Sequence, residues 1–310
     1  PYLAQDQDGY LLAATLRGAV RFDGVRMRPL SPPGGPDLSL RAADRILVSS
    51  DGAVWLGMMD AGLMRIDAEG VRVWDRSSGL DSQTITHIIE VEPGLLWVST
   101  PTTLYALSLS DLRPRALGEG YPTALRAYLR TPDGTQWFGT QDGLYRRRPD
   151  AALERMDGTL GLVDPWIWTL HLDAEGSLWI GSRGGLLRWR DGKAMSFGPE
   201  SGFRFPATRS ILTDRDGQLW VATAGGGLHR WRDGRFDSLD SLSGLSTDIA
   251  WSLLEDRSGN LWVGTTGGVC RLRDTTFVNY TRRDGLGSEF VWTVAPDADG
   301  GVWAGSNGGG

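Results

Sequence analysis

Cysteine occurs once, at Cys270, so no intramolecular disulfide can form and a disulfide-framework fold is excluded. Histidine occurs three times, at His87, His171 and His229, without ligand-type spacing, which argues against a metal site. Lysine occurs once, at Lys193; the other cations are arginines, which reads as codon composition rather than chemistry. The formal net charge is −6 and no run of like charge appears, so the basic stripe of a nucleic-acid surface is missing. No apolar stretch reaches the roughly 18 residues that span a bilayer. There is no Gly-x-Ser-x-Gly, no phosphate loop opening a helix and no His-Glu-x-x-His. The chain opens with neither a signal peptide nor an initiator Met, which predicts a piece of a longer protein.

Glycine, by contrast, is plentiful, at 43 of 310 residues. Its placement is periodic. The segment 256–272 reads D-R-S-G-N-L-W-V-G-T-T-G-G-V-C-R-L: a tight turn framed by Asp256 and Gly259, an apolar strand run, a Gly267-Gly268 turn and a return strand. The same phrase recurs eight times. Its Trp slot holds Leu12, Trp55, Trp97, Trp137, Trp179, Trp220, Trp262 and Trp303, spaced by 43, 42, 40, 42, 41, 42 and 41 residues. A turn Gly stands three residues before every slot, from Gly9 to Gly300. A unit of this length with four short strand patterns predicts an all-β fold, a β-propeller of four-stranded antiparallel blades.

The expected units are 1–40, 41–82, 83–122, 123–164, 165–205, 206–247, 248–288 and a partial 289–310, all within one domain. Seven blades is the expectation, with eight as the alternative should more sequence follow Gly310. Ring closure has two solutions. The two strands of the eighth unit pair with 19–30, leaving residues 1–18 redundant, or unit one stays whole and the eighth unit stays loose. Segment 31–37 is a loop by composition. In unit three Val91 replaces the turn Asp, so its first hairpin is expected to be the loosest.

The motif Trp reads as inter-blade filler, because both faces of a blade sheet are buried and need a large apolar side chain. The turn residues Asp6, Asp173, Asp214, Asp256 and Asp297 read as structural, accepting backbone hydrogen bonds. Cys270 reads as a buried inert thiol. Function is expected where equivalent slots differ. The slot five residues before the turn Asp holds Asp44, Thr86, Arg126, Trp168, Arg209, Trp251 and Trp292, at the start of each innermost strand. Blade-to-blade connections and second-to-third-strand loops share that end, so Arg17, Asp60, Asp142 and Arg183 belong to the same rim. The candidate ligand site is Arg126, Trp166, Trp168, Arg183, Arg209, Asp248, Trp251, Glu289 and Trp292: guanidinium forks for a carboxylate or sulfate, indoles to stack on sugar rings, carboxylates as acceptors. The competing reading of the same Trp residues is packing between blades.

The line D-x-x-G-x-L-W-x-G-T-x-x-G-G-L-x-R, best matched at 173–188, 214–230 and 256–271, closely resembles the regulator-propeller repeat of bacterial two-component sensor proteins. That resemblance implies a periplasmic sensing domain of a membrane-anchored histidine kinase or diguanylate cyclase. It also implies a small ligand such as an oligosaccharide, downstream β-sandwich and output domains, and a homodimeric arrangement. It implies no cofactor, no metal and no catalysis in this segment. The alternatives are a protein-binding scaffold, or a propeller lyase, to which Gln136-Trp137-Phe138-Gly139-Thr140 is loosely similar.

Overall fold

The computed structural model describes residues 3–5, 8, 11–15, 18–22, 27–30, 42–204, 207–256, 259–273, 276–280, 291–296 and 302–306. Seven four-stranded antiparallel sheets follow one another in chain order, each strand paired with its sequence neighbours. Blade 6 is representative: Thr208–Thr213 inside, then Leu219–Thr223, Gly227–Arg232 and Arg235–Leu239 outside. The inner strands begin at Leu3, Ala43, His87, Leu125, Ile167, Thr208 and Ala250. The second strands are buried along their whole length in blades 2, 5, 6 and 7, as expected for a sheet sandwiched on both faces.

An eighth hairpin, Val291–Pro296 with Val302–Ser306, forms a two-stranded sheet of its own. It does not pair with residues 19–30, because blade 1 already completes four strands between Leu3 and Pro29. Nor is it loose. Its Val291–Pro296 strand packs beside the inner two strands of blade 7 on one side and the first two strands of blade 1 on the other. The ring is therefore sealed by packing of sheet faces, not by strand exchange.

The core lies between blades. Trp55 packs with Ile85, Ile88 and Leu96 of blade 3; Trp137 with Ile167, Leu178 and Ile180 of blade 5; Trp220 with Ala250, Leu253 and Val263 of blade 7. Burial of each such ring stabilises by about 3 kcal/mol or more. In blades 2, 4, 5, 6 and 7 the third-strand Arg opposite the Trp lies over the indole: Arg65 on Trp55 at 5.8 Å, Arg146 on Trp137 at 5.5 Å, Arg188 on Trp179 at 5.5 Å, Arg230 on Trp220 at 5.9 Å and Arg271 on Trp262 at 5.4 Å; in blade 3 Ala106 stands opposite Trp97.

The turn aspartates do more than accept backbone N–H. Asp173, Asp214 and Asp256 also accept the indole N–H of Trp179, Trp220 and Trp262. Ser49 takes this role for Trp55. Blade 3 lacks the acceptor, and its hairpin is the one with a register shift at the turn, between Leu95 and Leu96. Its turn is held instead by Glu90, whose carboxylate accepts from Gly94 N–H and from Ser50 of blade 2. Trp97 sits among Tyr121 of the connection to blade 4 and Tyr128 and Phe138 of blade 4 itself. The turns at Asp6 and Asp297, the loop 31–37 and Arg17 lie outside the described residues, as does the side chain of Asp44.

Candidate functional site

The slot that varies from blade to blade is a β-bulge. In blades 2, 4, 5, 6 and 7 and in the eighth hairpin, register with the second strand skips one residue: Asp44, Arg126, Trp168, Arg209, Trp251 and Trp292 respectively. A bulged residue is left out of the ladder and its side chain is re-aimed, which is why such positions gather near binding sites. Blade 3 has no bulge there; Thr86 is buried and its hydroxyl bonds the Ser99 carbonyl.

Packing next to the bulge is set by the second-strand Gly of the preceding blade. A Cβ on Gly139 would lie 2.6 Å from Ile167 Cγ2, and one on Gly181 would lie 2.6 Å from Thr208 Cγ2. Ile167 and Thr208 immediately precede Trp168 and Arg209. The absent side chain lets one blade lie close against the residue that carries the next blade's bulge.

Three successive bulges form a stack. The guanidinium carbon of Arg209 lies 3.4 Å from the ring centroid of Trp168 and 4.2 Å from that of Trp251. The cation is thus sandwiched between the indoles of blades 5 and 7, and all three side chains are half-buried. The row continues through Trp166, 6.4 Å from Trp168. Arg183 and Arg126 approach Trp166 at 5.5 and 5.9 Å. Arg183 Nε bonds Asp164 Oδ2 at 2.8 Å, and Asp164 Oδ1 accepts the Trp166 backbone N–H. With the Gln141 amide turned so that its oxygen faces the guanidinium, the orientation that satisfies both groups, it accepts from Arg126 Nε at 3.0 Å. The indole N–H of Trp166 is buried and has no partner among the described residues. Cations here are worth about 0.5–2 kcal/mol each against an indole face, more as water is excluded.

Six of the nine expected residues, Arg126, Trp166, Trp168, Arg183, Arg209 and Trp251, therefore form one continuous row. Asp248 is three residues from Trp251 but belongs elsewhere: its Oδ1 accepts the Ser241 N–H and its carbonyl accepts from Gly225 and Gly227. Glu289 lies outside the described residues, as does the side chain of Trp292. Sequence reasoning missed Gln141 and Asp164, which orient the arginines. Both sit in loops, and only their position at the same blade end as the bulges signals them.

The row also borders a buried imidazole. His87, at the start of the blade 3 inner strand, has neither ring nitrogen bonded among the described residues. Burial, with Arg45 and Arg126 adding to it, holds its pKa well below the ordinary histidine value. His171 bonds Thr213 and His229 bonds Thr223 and Ser238, so the three imidazoles do not converge. Among the described residues no group of His, Cys, Asp and Glu is placed to hold a metal ion. Cys270 is buried, its thiol donates to Ser246 Oγ, and burial raises its pKa; it is no nucleophile.

The two-component regulator propeller model matches residues 203–225, 244–267 and 285–308. No curated protein is significantly similar to the chain in sequence. Among solved structures, the extracellular domain of the hybrid two-component system BT3049 from B. thetaiotaomicron superposes with a TM-score of 0.70 at 19% identity. That match covers 98% of this chain and 50% of that one, so the chain spans half of its length. A virginiamycin B lyase from Staphylococcus aureus, crystallised in catalytically inactive form with quinupristin, gives 0.62 at 15% identity, covering 80% of this chain and 86% of that one. PorZ, a surface component of the type-IX secretion system of Porphyromonas gingivalis, gives 0.65 at 17% identity, covering 94% and 48%. At these identities the likeness shows the fold; the likeness to the family rests on the three matched segments. The chain is a β-propeller in which three segments, in its last three repeat units, match the two-component regulator propeller repeat.

Proposed function

We propose that this propeller is the extracytoplasmic sensing part of a membrane-anchored signalling protein, that it is not an enzyme, and that it binds a small ligand on the bulge-bearing face. The observation that carries the ligand reading is the Trp168–Arg209–Trp251 stack, with Trp166 and its two arginines beside it. Half-buried indoles offer flat apolar faces, the guanidiniums offer directed donors, and the Trp166 N–H seeks an acceptor. A hydroxylated ring with an anionic substituent, such as an acidic oligosaccharide, meets all three demands.

In this reading the propeller reports occupancy to further domains of the same protein and to a second copy. That requires the ligand to favour one arrangement of the propeller and its neighbours over another, since equal affinity for both shifts nothing. The two-component repeats and the likeness to an extracellular domain support this placement.

The test is a thermal-shift screen against neutral and acidic oligosaccharides, amino acids and small anions, repeated on Trp168→Ala, Arg209→Ala and Arg126→Ala. A ligand at about 100 times its Kd adds roughly 2.7 kcal/mol of stability. A shift present in the parent and lost in folded variants places the site on this row. A shift that survives all three substitutions removes the row from the site.

A further inference from the structure

A cavity of about 520 Å³ opens on blade 6, at the end of the propeller where its connections lie. It is bounded by the entry segment at Gly202 and Arg204, the second-to-third-strand loop at Gly225 and Gly226, the outer strand at Arg235 to Ser238, and the exit segment at Asp240 and Asp248. No residue of the Trp168–Arg209–Trp251 stack lines it. Its volume lies within the range of small-ligand pockets.

Glycine shapes the walls. A Cβ on Gly202, whose φ is +85°, would lie 2.2 Å from the Phe236 carbonyl oxygen. Only glycine lets the entry segment press onto the outer strand, which brings Arg204 and Arg235 to the same cavity. The backbone N–H groups of the loop are already engaged: Gly225 donates to the Asp248 carbonyl and Gly226 to Thr223 Oγ1. Recognition is left to side chains.

The charges are divided. Neither Arg204 nor Arg235 has an ion pair or side-chain hydrogen bond among the described residues. Asp240 spends Oδ1 on the N–H groups of Leu242 and Ser243, and Asp248 spends Oδ1 on Ser241. The second oxygen of each has no partner among the described residues. Asp237 is matched by Arg230 at 3.3 Å. The cavity therefore presents two uncommitted cations and two half-committed carboxylates. A simple anion is opposed by the carboxylates, and a simple cation by the guanidiniums. A neutral polyol leaves both sets uncompensated. A ligand with an anionic end and a cationic end satisfies both.

We propose that this cavity is a second binding site, for a small zwitterion of amino-acid or short-peptide type. Arg204 and Arg235 hold its carboxylate, and Asp240 and Asp248 hold its ammonium group. Arginine forks suit a carboxylate bidentately.

The experiment is isothermal titration of the chain with the twenty free amino acids and with tri-alanine. N-acetyl-tri-alanine, tri-alanine amide and maltotriose are run beside them. Binding of a zwitterion, weakened about tenfold or more by blocking either end, is the expected result. Arg204→Gln and Arg235→Gln should each weaken the free peptide about tenfold while leaving the amidated peptide unchanged. Asp248→Asn should do the converse, erasing the difference between the free and acetylated amino terminus. Circular dichroism and the melting temperature confirm that each variant folds. No heat with any zwitterion, equal binding of blocked and free peptides, or tighter binding of maltotriose each overturns the assignment. Binding of zwitterions unaffected by Trp168→Ala keeps this site apart from the indole row, so either proposal can fail alone.

Discussion

The carboxylate of Asp214 accepts the indole N–H of Trp220 at 2.7 Å while its other oxygen accepts the backbone N–H groups of Asp216 and Gln218. One side chain thus ties the first hairpin turn of blade 6 to the aromatic filler between blades 6 and 7. Asp173 and Trp179 repeat the arrangement at 2.7 Å in blade 5. The motif couples a turn residue and a packing residue six positions apart, which is why they recur together at a fixed offset.

Removing the acceptor should cost more than a turn. Asp214→Ala leaves a buried indole N–H and two backbone N–H groups without their partner. The expected loss is about 2–4 kcal/mol by urea denaturation. Asp214→Asn keeps one oxygen and should lose about half as much. Ser49→Ala in blade 2 removes a neutral acceptor from Trp55 and should cost only about 1–2 kcal/mol. Equal losses in all three variants would mean that the turn, not the indole, sets the cost.

The second-strand glycine yields a size rule between neighbouring blades. Gly57 and Gly139 face Ile85 and Ile167, whereas Ala14 and Ala222 share clusters with Ala43 and Ala250 at the same position of the next blade. Glycine meets a large residue and alanine meets alanine; blade 3 departs from this, with Ser99 against Leu125, whose backbone N–H its hydroxyl accepts. Gly139→Ala places a methyl 2.6 Å from Ile167 Cγ2 and should destabilise by about 1–3 kcal/mol. In the double variant Gly139→Ala/Ile167→Ala the losses should be less than additive by about 1 kcal/mol, read from denaturation midpoints of the four-member cycle. Strict additivity would show that the contact relaxes without cost.

Much of this was legible in the sequence because it recurs. The spacing of Trp55 to Trp303 specified the blades, and the variable slot before each turn Asp pointed to Arg126, Trp168, Arg209 and Trp251. What was not legible depends on strands facing one another. The bulge at Arg209 exists only as a skipped partner between Thr208 and Ser210. Asp248 read as a neighbour of Trp251, yet its hydrogen bonds turn it toward Ser241 and Gly225. The eighth hairpin was expected to seal the ring through edge pairing or to stay loose. It is held by its faces, because blade 1 already owns four strands. The Ala222–Ala250 match was hidden because each residue looks ordinary alone.

Acid should loosen the propeller through its imidazoles. His229 is fully buried in the third strand of blade 6, against Phe203 at 4.8 Å, and burial lowers its pKa from 6.5 to about 4. His87 and His171 are lowered for the same reason. A depressed folded-state pKa means that the unfolded chain binds the proton first as pH falls. The stability contributed by neutral His229 is therefore complete above about pH 6.5 and is lost progressively toward pH 4, amounting to about 3 kcal/mol. Urea denaturation between pH 4 and pH 7 should show stability falling by up to about 1.4 kcal/mol per pH unit for each such histidine. His229→Gln keeps a donor and an acceptor for Ser238 and Thr223 without a titrating ring. It should lower stability at pH 7 and flatten the slope below pH 6.5. An unchanged slope in that variant would assign the acid sensitivity to His87, His171 and carboxylates such as Asp51, Asp81 and Asp133, whose pKa values are lowered by their hydrogen bonds.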